Sequence, residues 1–73
     1  MQLKNQARKD LTDQKVKVIV EAWEAQESAV PQIKGSKWEV ARQLSAFSKS
    51  INNPLSADSF VKRYQFWSHL HVQ

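Results

Sequence analysis

Cysteine is missing from all 73 residues of the chain, which excludes disulfides and thiolate zinc sites as sources of stability. Glycine occurs once, at Gly35, so no glycine-rich loop is available to cradle a phosphate. Proline occurs only at Pro31 and Pro54, leaving long stretches free of helix breakers. No apolar run approaches the roughly 18 residues of a membrane span, and no signal-peptide pattern opens the chain. A cytoplasmic protein is therefore expected, of a size common among phage and plasmid proteins. The only histidines are His69 and His71. On a helix that spacing turns them about 200° apart, so they cannot share a metal from one face. No paired-carboxylate constellation stands out, and an enzyme, a metal or a cofactor is not expected.

What the chain does hold is aromatic surface and charge. Three Trp, three Phe and one Tyr are a heavy supply for this length, since each buries about 150–250 Å². They are needed, because ordering a residue costs roughly 1.5 kcal/mol and a small core offers little to offset it. Tight helix packing or a homodimer can make up the difference. The charge is uneven along the chain. Residues 1–27 hold five basic and five acidic residues and cancel, whereas residues 28–73 hold six basic residues against Glu39 and Asp58. The whole net charge of +4 thus lies in the later part, and a one-sided positive field attracts polyanions.

Periodicity predicts three helices in a single domain spanning 1–73. In the first, about 12–27, Thr12 is a reasonable N-cap, and Val16, Ile19, Val20 and Trp23 repeat at helical spacing. Residues 1–10 either continue this helix, with Leu3, Ala7 and Leu11 four apart, or form a flexible basic arm. Glu21, Glu24 and Glu27 crowd the end of the helix, where the macrodipole favours cations. They form a solvated face, pair with later basic residues, or present an acidic patch to a partner protein. Pro31 breaks the chain and biases Val30 toward extended backbone. Ile33 is expected to plug the core from this loop, which is also compatible with a two-residue β-bridge.

Ser36 and Glu39 make a capping box that opens the second helix, about 37–50. Val40, Leu44, Phe47 and Ile51 form its apolar stripe, Ala41 permits close approach, and Arg42, Gln43, Ser45 and Lys49 face away. Asn52 or Asn53 takes the left-handed C-cap conformation before Pro54. Ser56 caps the third helix, about 57–69, and Leu55 packs on Phe60 as a hydrophobic staple. Phe60, Tyr64 and Trp67 share one face of that helix; Ser59, Lys62, Arg63 and Phe66 share the other. Residues 70–73 are expected to fray. Trp23, Trp38, Phe47, Phe60, Tyr64 and Trp67 are the expected core of an all-α, orthogonal three-helix domain.

The pair of helices over 36–70, with Ala41 in the first and Phe60-Val61-Lys62-Arg63-Tyr64 in the second, resembles the helix-turn-helix of trihelical DNA-binding domains in small regulators, recombination factors and transposase ends. The resemblance implies that the later helix enters the major groove of duplex DNA. Ser59, Lys62 and Arg63 would then meet base edges, and Phe66 would touch thymine methyls or the sugar backbone. Arg42, Lys49, Lys34 and Lys37 would clamp phosphates. The competing expectation is a protein-interaction module or inhibitor that uses the Glu21/Glu24/Glu27 face or Phe66.

Overall fold

A computed structural model of the chain describes residues 2–26 and 32–72, with side chains described from residue 9 onward in the first stretch. Glu27, Val30 and Pro31 fall outside the described residues. The fold is all-α in character: three helices share one core, and two very short strands close one end.

The first helix, α1, runs Gln2–Glu24. It starts ten positions before Thr12, which is interior to the helix rather than its N-cap. Apart from Asn5 and Asp10, the added turns are built from Gln, Leu, Lys, Ala and Arg, all good helix formers. The helix thus continues through the segment where an arm was the other expectation. Val16, Ile19 and Val20 are buried on its inner face, each contributing about 1.5–3 kcal/mol of transfer free energy. Trp23 sits half-buried, edge-on to Phe47 with ring centroids 5.1 Å apart. The end of α1 is closed by Gln26, whose backbone N–H and side-chain amide both donate to the carbonyl of Trp23.

Strand β1, Ile33–Lys34, carries Ile33 into the core as expected. Gly35 then adopts φ +132°, and a Cβ there would lie 2.8 Å from a carboxylate oxygen of Glu39. Its lack of a side chain is what lets the chain turn tightly into the next helix. Helix α2, Lys37–Ser50, begins at Ser36, whose Oγ accepts from the Glu39 N–H. Val40, Ala41 and Leu44 bury fully, and Phe47 packs at the margin. Trp38, expected in the core, is 46% exposed. It lies two residues before Val40, which turns it about 160° around the helix from Val40. Ile51 is likewise exposed.

Ser45, expected on the outer face, is buried, and so is Ser48. The Ser45 hydroxyl donates to the Leu55 carbonyl at 2.6 Å, while the Leu55 N–H donates to Ser48 Oγ at 3.0 Å. Ser48 Oγ in turn donates to the Ser45 carbonyl. Two serines therefore satisfy both backbone groups of Leu55 and fasten the following connection to α2. Asn52 takes the left-handed conformation, φ 61°, that ends α2. The connection from Ile51 to Ser56 is longer than the three or four residues of a strict helix-turn-helix.

Helix α3 runs only Ala57–Lys62, capped by Ser56 Oγ accepting from the Ser59 N–H. The expected helix to residue 69 gives way at Arg63 to two 3₁₀ turns, Tyr64–Phe66 and Ser68–Leu70. Trp67 supplies the physical reason. Its ring is completely buried, and its Nε1–H donates to the Phe60 carbonyl at 2.7 Å. A continuing α-helix would give that carbonyl to the Tyr64 N–H; here the Trp67 indole and the Arg63 N–H share it.

Residues 70–72, expected to fray, are held in place instead. Strand β2, His71–Val72, pairs in parallel with β1, Ile33 opposite His71 and Lys34 opposite Val72. His71 Nε2 donates to the Gly35 carbonyl at 2.7 Å, and its Nδ1 is 2.9 Å from the Tyr64 hydroxyl. With Nε2 carrying the hydrogen, the neutral ring accepts from Tyr64 at Nδ1. Leu70 is buried beside them.

Candidate nucleic-acid interface

The break in α3 rearranges the four residues expected to read DNA. Only Lys62 stays fully in solvent, and its Nζ lies 3.1 Å from Asp58 Oδ2, one turn earlier on the same helix. Exposed pairs of this kind contribute about 0.3–0.5 kcal/mol, so the ammonium is easily released to a competing anion. Arg63 is held more firmly. Its Nε donates to Asp13 Oδ1 of α1 at 2.6 Å, with the two side chains only 17% and 23% exposed. Its Nη1 also donates to the Ser59 carbonyl at 3.3 Å. Arg63 therefore joins α3 to α1 and is not presented as a base reader.

Ser59 is half-buried, and its Oγ lies 3.0 Å from Ser56 Oγ within the helix cap. Phe66 packs against the core from a 3₁₀ turn, and Lys17 Nζ sits 5.2 Å above its ring. The outer row of Ser59, Lys62, Arg63 and Phe66 needed about two continuous turns of helix, from residue 59 to residue 66. With α3 ending at Lys62, these residues do not form a common surface.

The second helix keeps its cations free. Arg42 and Lys49 are exposed on α2, and Lys34 is exposed on β1. Lys37, also exposed, places its Nζ 4.7 Å from the Tyr64 ring centroid, a cation–π contact that leaves the charge at the surface. None of these four takes part in an ion pair among the described residues. Glu39 is the only acidic residue of α2.

Trp38 belongs with this group. Trp38, Arg42 and Lys49 fall at i, i+4 and i+11, so an exposed indole, a guanidinium and an ammonium line one stripe of α2. Beside Lys49 runs a shallow groove between α2 and the start of α3, walled by Pro54, Ser56 and Ala57. The expectation that Trp38 is core hides this arrangement. The signal for it is phase: Trp38 is out of step with Val40 and Leu44 but in step with Arg42.

The acidic side of the molecule is partly used internally. Glu24 Oε1 lies 2.7 Å from His69 Nε2, drawing the C-terminal segment onto the end of α1. Glu21 is exposed. His69 and His71 therefore both have specific partners. Compared with known protein families, curated protein sequences and solved structures, the chain matches none of them.

Proposed function

We propose that this is a small DNA-binding protein, a regulator or a recombination or replication accessory factor, which engages duplex DNA through the outer face of α2. The observation that carries the reading is the stripe of Trp38, Arg42 and Lys49, taken with exposed Lys34 and Lys37 just before it in the chain. Together they hold four cations with no carboxylate partner among the described residues. Arg42 and Lys49 act as phosphate clamps, and the indole of Trp38 packs on the sugar-phosphate edge. Lys62 adds a weaker contact at the rim, where an incoming phosphate displaces Asp58. Arg63 keeps its role between helices and contributes to binding only by holding the fold together.

Contacts to phosphate confer affinity with little sequence information. Releasing one counterion per contact makes the logarithm of affinity fall with the logarithm of salt concentration, with a slope of about −0.9 per phosphate neutralised. Four contacts predict a slope of about −3 to −4. Fluorescence anisotropy on a labelled duplex across a salt series measures it. Arg42→Ala with Lys49→Ala should lower affinity and flatten the slope by about 2. A protein that does not bind duplex DNA at low salt, or a double variant with unchanged slope, would sink this assignment.

A further inference from the structure

We infer that two copies of the chain pair through the outer faces of α1, with the two helices running antiparallel. The inner face of α1 is spent on the core through Val16, Ile19 and Val20. The opposite face carries two exposed apolar side chains, Leu11 at 63% and Val18 at 53% exposure, with Gln14 and Lys15 exposed between them. Leu11 and Val18 lie seven residues apart, two turns of one face, and the small residues Ala22 and Ala25 continue that face toward the helix end. An open groove of about 500 Å³ runs beside them, between Leu11, Gln14, Lys15 and Val18 on α1 and Leu55 on the connection after α2.

Charge selects a second copy as the occupant. The first turn of α1 has no acidic residue and the last turn has no basic one. Lys4, Arg8 and Lys9 all precede its first carboxylate, whereas Glu21 and Glu24 follow its last cation, Lys17. Within one copy this order opposes the helix macrodipole, which favours acids at the start and bases at the end. Beside an antiparallel copy the opposition is relieved, because each basic beginning lies against the acidic end of its neighbour and the two dipoles oppose each other.

The apolar pair sets the register. Placing Leu11 beside Val18 of the second copy also places Arg8 level with Glu21 and Ala7 level with Ala22, twice over by the two-fold axis. A parallel pair would set Arg8 against Arg8 and Glu21 against Glu21. The shape of the molecule points the same way. Among the side chains of α1 described from residue 9 onward, burial begins at Val16, and the domain measures 44 × 23 × 17 Å. Residues 9–11 are exposed, and a helical segment with little tertiary packing is marginal in water. A second copy packs them.

Sedimentation of the full chain from micromolar to about 1 mM concentration should show monomers converting to dimers. Leu11→Gln with Val18→Gln should raise the dissociation constant about tenfold or more. Both side chains are exposed in the single copy, so its circular-dichroism melt at low concentration should not change. Because the chain has no cysteine, orientation can be read by oxidation. A mixture of Ala7→Cys and Ala22→Cys copies should cross-link to each other in preference to either variant with itself, since those positions lie about 22 Å apart along one helix. Monomers throughout the concentration range overturn the inference. So does a dimer indifferent to the glutamine pair, or preferential Ala7→Cys self-linkage.

Discussion

Ser48 shows how much of this small fold depends on single polar side chains. It is completely buried, accepts from the Leu55 N–H and donates to the Ser45 carbonyl. Ser48→Ala would leave the part-buried Leu55 N–H unpaired, which costs about 1 kcal/mol or more; urea denaturation should show a loss of that size. Arg63 is the second such residue. Removing it leaves Asp13 partly buried without its cation, and a loss of about 1–2 kcal/mol is expected from a charged hydrogen bond with little solvent. A double-mutant cycle of Arg63→Ala and Asp13→Ala should return a clear coupling energy. The same variant tests function at this scale: Arg63→Ala should lower stability while leaving the salt slope of DNA binding unchanged. Neither serine is conspicuous in the sequence. At position 45 helical phase alone points outward, and only the returning backbone at Leu55 makes burial of that hydroxyl favourable.

The helices differ in how far their own sequence defines them. Both ends of α2 are legible, since Ser36 meets the Glu39 N–H three residues on and Asn52 takes its left-handed turn without outside help. The start of α3 is legible for the same reason. Its end is not. Nothing local distinguishes Arg63 from a residue in mid-helix, and the helix stops because the Trp67 indole reaches the Phe60 carbonyl from the core. Trp67→Phe keeps an aromatic ring but removes that donor and part of the packed volume. A destabilisation of about 2 kcal/mol or more is expected, measured by thermal or chemical unfolding. Gly35 offers a separate check on the β1–α2 joint. Gly35→Ala should cost about 1 kcal/mol or more, because φ +132° is strained for alanine and its Cβ would press on Glu39.

For the molecule as a whole, the useful quantity is where the cations end up. Lys62→Ala should weaken the proposed DNA binding about twofold at most, because an exposed pair with Asp58 already occupies the ammonium. Lys49→Ala, with no such partner, should weaken it several times more in the same anisotropy assay. The sequence alone determined the helical class, the apolar stripes, the caps of α2 and of the start of α3, the surplus of positive charge after residue 27 and the absence of covalent staples. All of these follow from composition or from neighbours within about one or two helical turns. Only the tertiary structure decided that Arg63 serves Asp13, that His69 serves Glu24 and that His71 closes on Gly35, contacts 50, 45 and 36 residues apart. Such contacts form when packing delivers two distant groups to the same place, and no local pattern records that meeting. For that reason the free cationic face lies on α2, and the third helix, which carries the more suggestive residues, is spent on holding the fold.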